Sequence, residues 1–263
     1  MLAQLPIFTL VTWGLAILLT LALLVRMIVL GQHRVYPLFA LYLVCNVLQA
    51  AVIVYLYQWY GFTSMSAYRI GWTTQGFVVV ARAFAAAEVC HQILGRFKGV
   101  WAMTSRTLIV CGALVLGAAL YFGRNGYRSA ALTLEIGLES FIATWIVGLF
   151  WFARYYEVQI PTATGLLGLG LGLNSCFKIL NDVVVERFAR SYQTAWNHAS
   201  SAGFIAVLAI WIWGLRKRAA ARVSEPELRT AKVYQTLIPQ VNRRLVELNE
   251  QLSQLWHTEL PRP

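Results

Sequence analysis

Residues 6–30 read PIFTLVTWGLAILLTLALLVRMIVL, an unbroken apolar run whose single charge, Arg26, stands near its end. A helix at a water-facing protein surface carries a polar face, and this run has none. It is also long enough to cross the roughly 30 Å hydrocarbon core of a bilayer, which takes about 20 helical residues. Similar runs follow at 36–60, 68–95, 104–123, 129–153, 162–188 and 193–215. They are continuous rather than alternating, which favours helices over the strands of a β-barrel. The expected fold is all-α: a polytopic membrane protein with a seven-transmembrane-helix bundle over 1–215. Residues 216–263 then form a basic juxtamembrane segment and an amphipathic, coiled-coil-like helical tail. The start MLAQLPIF has no positive region and the first run exceeds the core of a signal peptide, so it reads as a retained helix.

The whole-chain composition agrees with that reading. The 263 residues are 59% hydrophobic and only 13% charged, whereas a soluble domain carries about 25% charged residues. The net charge is +11, with 13 Lys/Arg against 6 Asp/Glu in 1–215 and 9 against 5 in 216–263. The densest basic run, Arg216, Lys217, Arg218 and Arg222, adjoins an apolar span. Contact with anionic lipid at Arg216, Lys217 and Arg218 explains it, and nucleic acid is not an expected partner. Cys45, Cys90, Cys111 and Cys176 lie inside apolar runs without a CxxC pair, and read as small buried packing residues.

Direction follows from Lys and Arg near the span ends. Arg96, Lys98 and Arg106 in the third loop, with the tail cluster, outweigh Arg69, Arg124, Arg128, Arg187 and Arg190 on the other side. The N-terminus is therefore expected outside and the C-terminus in the cytoplasm. Trp59, Trp72, Trp101, Trp151, Trp196 and Trp213 near span ends suit interfacial belts. In helix six, GLLGLGLGLN (165–174) holds Gly168 and Gly172 at small-xxx-small spacing, which lets a neighbouring backbone approach. A phosphate loop is not indicated, because no strand precedes the glycines and no Lys-Ser/Thr follows them.

Ionisable groups within the spans carry the functional information, since a charge at the bilayer centre costs at least ~2.5–3.5 kcal/mol. Arg82 lies near the middle of helix three. Glu135 and Glu139 share one face of helix five, as do Lys178 and Asp182 on helix six. With His198, and with Gln49, Gln75 and Asn197 at comparable depth, these side chains are expected at one level. They form a candidate ligand- or ion-binding set of Glu135, Glu139, Lys178, Asp182, His198 and Arg82. Its surplus of acids suits a cationic ligand, or a proton shared by Glu135 and Glu139. The plainest alternative is a closed network that holds helix register.

Glu88 and His91 make an ExxH step like half of a carboxylate-bridged metal site, but the step occurs once where a di-metal bundle needs two. No HExxH, Walker sequence or nucleophile elbow appears, so no catalytic or metal set and no cofactor are assigned. In the tail, Ser224-Glu225-Pro226-Glu227 reads as a helix start and Pro239 as a break. Val241, Leu245, Leu248, Leu252 and Leu255 then follow a 4,3,4,3 spacing. That stripe suits a protein partner or self-association, or else a helix lying on the membrane or on the protein's own cytoplasmic face.

The segment RVYPLFALYL (34–43), with the stretch from Tyr68 to Glu88, resembles uncharacterised seven-helix proteins of bacterial genomes, which implies a bacterial inner membrane and no activity. The topology is also similar to that of rhodopsins and other seven-helix receptors. The retinal lysine of rhodopsins belongs on helix seven, which here has no lysine, so retinal is not expected. The leading functional expectation is a receptor-like or sensor-like module with an outer-half polar pocket, coupled to a cytoplasmic helix that docks a partner. A proton- or ion-coupled carrier, a structural or assembly subunit and a membrane-embedded enzyme are the alternatives.

Overall fold

The computed structural model describes residues 7–60, 64–95, 97–124, 126–188, 193–216 and 239–258. All regular structure among them is helical. The helices are α1 (Ile7–Val29), α2 (Pro37–Tyr60), α3 (Met65–Leu94), α4 (Lys98–Gly123), α5 (Tyr127–Tyr155), α6 (Thr162–Phe188), α7 (Gln193–Gly214) and α8 (Pro239–Thr258). A short 3-10 turn, Gln32–Arg34, joins α1 to α2. Among the described residues, six helices are long and apolar enough to cross a membrane. The expected seventh, α7, runs over 22 residues, and its described part includes the apolar stretch His198–Gly214. Loops turn where glycine permits it: Gly31 at φ 71 closes α1 in the left-handed region, and Gly126 at φ 128 opens α5.

Packing follows a ring in chain order, α1 against α2, α2 against α3, then α4 to α7, with α7 returning to α1. The most buried helix, α3, also touches α4, α5 and α6, whereas α4 is the least buried. Large apolar side chains cover the outside, among them Leu18, Ile109, Leu114, Leu120 and Val147. An apolar exterior of this extent is compatible with a multi-pass membrane protein.

Helices with apolar exteriors have to be held together by close packing at their contacts. The glycines of α6 supply the approach. A Cβ on Gly168 would stand 3.2 Å from Val89 and 3.1 Å from Phe150, and one on Gly172 would stand 3.1 Å from Ile146. Gly170, between them, serves α7 instead: a Cβ there would collide with the indole of Trp211. Trp211 fills that space, donates to the Leu167 carbonyl at 3.2 Å and meets the Phe39 ring edge-on at 5.0 Å.

The cysteines divide. Cys90 is buried and accepts the Trp145 indole N–H at 3.1 Å. Cys176 is exposed, contrary to the expectation of a buried packing role, because its side of α6 faces away from the neighbouring helices. Helix α8 lies on the start of α4. The Gly99 amide donates to Oδ1 of Asn249, and the missing Cβ of Gly99 leaves room for Leu252 and the Asn249 carbonyl. Leu245 is buried and Leu248 exposed. The leucine stripe is thus partly covered by the chain's own bundle, while the side chains of Val241 and Leu255 lie outside the described residues.

Candidate functional site

The polar centre begins with Arg82, in the middle of α3. Its guanidinium pairs with Glu139 of α5, and both side chains are almost wholly buried. The guanidinium carbon also lies 5.3 Å from the centre of the Tyr42 ring, a cation–π contact that further stabilises the charge. Tyr42 in turn accepts a hydrogen bond from Asn174 of α6 at 3.3 Å. Nε of Arg82 and Oε2 of Glu139 are buried without a hydrogen-bond partner among the described residues.

A second chain of contacts runs beside the first, across four helices. Gln49 of α2 donates to Oε1 of Gln75 at 2.6 Å, and Gln75 of α3 donates to Oε1 of Glu135 at 2.6 Å. Lys178 of α6 stands 3.9 Å from the same Glu135 oxygen. The two glutamates one turn apart on α5 thus each form an ion pair, Glu139 with Arg82 and Glu135 with Lys178.

A cavity of about 300 Å³ opens between α1, α2, α3, α6 and α7. It occupies the half of the bundle that carries the N-terminal ends of α1, α3 and α7. Gln49, Gln75, Arg82, Asn174 and Lys178 give it polar walls, and Ile17, Ile53 and Phe204 give it apolar ones. Its size is at the lower end of the range for small-molecule sites, about 300–1,000 Å³. Glu135 and Glu139 are not on the wall but behind it.

Of the six residues expected to bind a ligand or ion, the structure brings Arg82, Glu135, Glu139 and Lys178 together. His198 is half-buried on α7, off the cavity wall. The side chain of Asp182 lies outside the described residues, as does that of Asn197. Reading by charge passes over Tyr42, Asn46 and Asn174, and over Ser200 and Ser201 of α7, all at or beside the cavity. Neutral polar side chains inside apolar runs are the signal that would have found them.

Glu88 and His91 go separate ways. The Glu88 carboxylate accepts the backbone amides of Leu38 at 3.1 Å and Phe39 at 2.9 Å, capping the first turn of α2 from another helix. The His91 ring packs against Trp101 at 4.6 Å. No group of three or more His, Cys, Asp or Glu side chains able to hold a metal occurs among the described residues. Of the basic segment after α7, only Arg216 is described; its guanidinium lies 5.2 Å from the Trp213 ring centre. No family model, no curated protein and no solved structure matches the chain.

Proposed function

We propose that this chain is a seven-transmembrane-helix receptor-like or sensor-like module of a cell inner membrane, with its N-terminus outside and its C-terminus in the cytoplasm. A small molecule enters the outer-half cavity, and the response leaves through α8 at the cytoplasmic end of α4. The observation that carries the reading is the cavity itself, walled by Gln49, Gln75, Arg82 and Lys178 and drawing on five helices. A ligand there touches α3 and α6 at once, and so can favour one packing of these helices over another. The contact of α4 with α8 supplies the readout at the other end.

The test works without the natural ligand. A cysteine replacing Ser201 in a background lacking the native cysteines is modified with a bulky thiosulfonate, filling the cavity. Spin labels at Lys98 and Glu250 then report the spacing of α4 and α8. A changed distance distribution supports the sensor, and an unchanged one removes it. Oε2 of Glu139, buried without a hydrogen-bond partner among the described residues, favours a second reading, a proton-coupled carrier. That reading requires pH-driven flux in proteoliposomes that Glu139→Gln abolishes.

A further inference from the structure

Every charge on the described wall of the cavity is positive. Arg82 and Lys178 reach it, whereas α5, which holds Glu135 and Glu139, contributes no residue to the wall. The glutamates secure the two cations from behind and leave their front to the cavity. Lys178 is the freer of the two. Its side chain is 35% exposed, and its ion-pair partner among the described residues, Glu135, is at 3.9 Å, beyond hydrogen-bond range. An ammonium has three N–H donors and a guanidinium five. Arg82 pairs with Glu139 and also interacts with Tyr42, and its Nε has no hydrogen-bond partner among the described residues although the side chain is buried.

From this geometry we infer that the cavity takes a small amphiphilic anion, a carboxylate on a compact apolar body. The carboxylate takes hydrogen bonds from Lys178 and faces the positive charge of Arg82, while the apolar body lies among Ile17, Ile53 and Phe204. This reverses the expectation of a cationic ligand. Glu135 and Glu139, two of the acids that suggested a cation, lie behind the wall, so a ligand in the cavity meets the cations first, and a cation there would face two like charges with no carboxylate on the described wall. Gln49, Gln75 and Asn174 provide amide groups for further hydrogen bonds, which a carboxylate with a second polar group can use. The inference rests on the cavity being a ligand site.

The experiment uses the full chain in lipid nanodiscs and three probes of one shape, phenylacetate, phenylacetamide and phenethylamine, titrated by calorimetry. Phenylacetate is expected to bind saturably and about tenfold or more tighter than the amide, because a charge-assisted hydrogen bond replaces a neutral one. Phenethylamine is expected not to bind. Lys178→Gln should remove the preference for the anion and Lys178→Arg should keep it. Lys178 is partly exposed, so both variants are suited to folding, and circular dichroism and monodispersity check that they do. Octanoate competing with phenylacetate points to a fatty acid from the bilayer as the source, and no competition points to an organic acid from water. Both results fit the anion. Amide or amine binding as tightly as phenylacetate overturns the anion while leaving the cavity reading in place. No saturable binding by any probe, or binding undiminished in Ala50→Phe and Ser201→Phe, which fill the cavity, overturns the cavity reading as well.

Discussion

Glu139 is fully buried, and Arg82 is the cation beside it. Taking away one partner of such a pair leaves a buried charge uncompensated, at a cost of about 3–5 kcal/mol, whereas replacing both by apolar groups of similar volume is often neutral. Arg82→Leu is therefore expected to lower the unfolding midpoint of the purified protein in detergent markedly, and the double replacement with Glu139→Leu to recover most of the loss. Equal losses in the single and double variants would show that the pair does not stabilise the bundle through its charges. The presence of these charges was legible in the sequence, because an ion inside an apolar run stands out. The pairing was not. On its own helix Arg82 is followed by Glu88 six positions later, a separation that does not share a helix face, and only the approach of α3 to α5 supplies the true partner.

At the level of the helix, two ends are held by side chains distant in sequence. Pro37 is well suited to the first position of α2 because it has no amide to leave unpaired. The next two amides, of Leu38 and Phe39, are satisfied by Glu88 of α3 rather than by a local cap. Gly99, near the start of α4, likewise gives its amide to Asn249 of α8. Losing one such hydrogen bond costs about 0.5–1.5 kcal/mol. Asn249→Ala should therefore increase hydrogen exchange in 239–258 and at the start of α4 by roughly two- to tenfold, with the rest of the bundle unchanged. Exchange rates identical to the parent protein would show that α8 is held by its leucines alone. The 4,3,4,3 stripe announced an amphipathic helix. It could not tell a foreign surface from the protein's own, since the same apolar spacing suits both.

For the whole molecule, the number of crossings decides the sides of the two termini. Six crossings put both on one side and seven put them on opposite sides. The distinction rests on α7, a helix of 22 residues that packs against both α6 and α1 as a ring member. The proposed seven-crossing arrangement puts α7 at the same depth as the neighbours it packs against. Green fluorescent protein fused after Pro263 should thus fluoresce in the cytoplasm, while a tag before Met1 is cleaved by protease added outside sealed spheroplasts. Both termini on one side would mean that α7 does not cross.

Composition and periodicity alone determined the helical class, the positions of the long apolar helices to within a few residues, and the list of charges that must find partners. They suffice because the requirement to satisfy backbone groups within apolar surroundings leaves a single segment little choice but to be a helix. Tertiary structure alone decided that Glu139 faces Arg82, that Glu88 caps α2, and that Lys178 and Arg82 rather than the glutamates line the cavity. Each of these depends on which faces of different helices meet. That choice is made by close packing, through contacts such as Gly170 against Trp211, between residues whose separation in sequence carries no information about their separation in space.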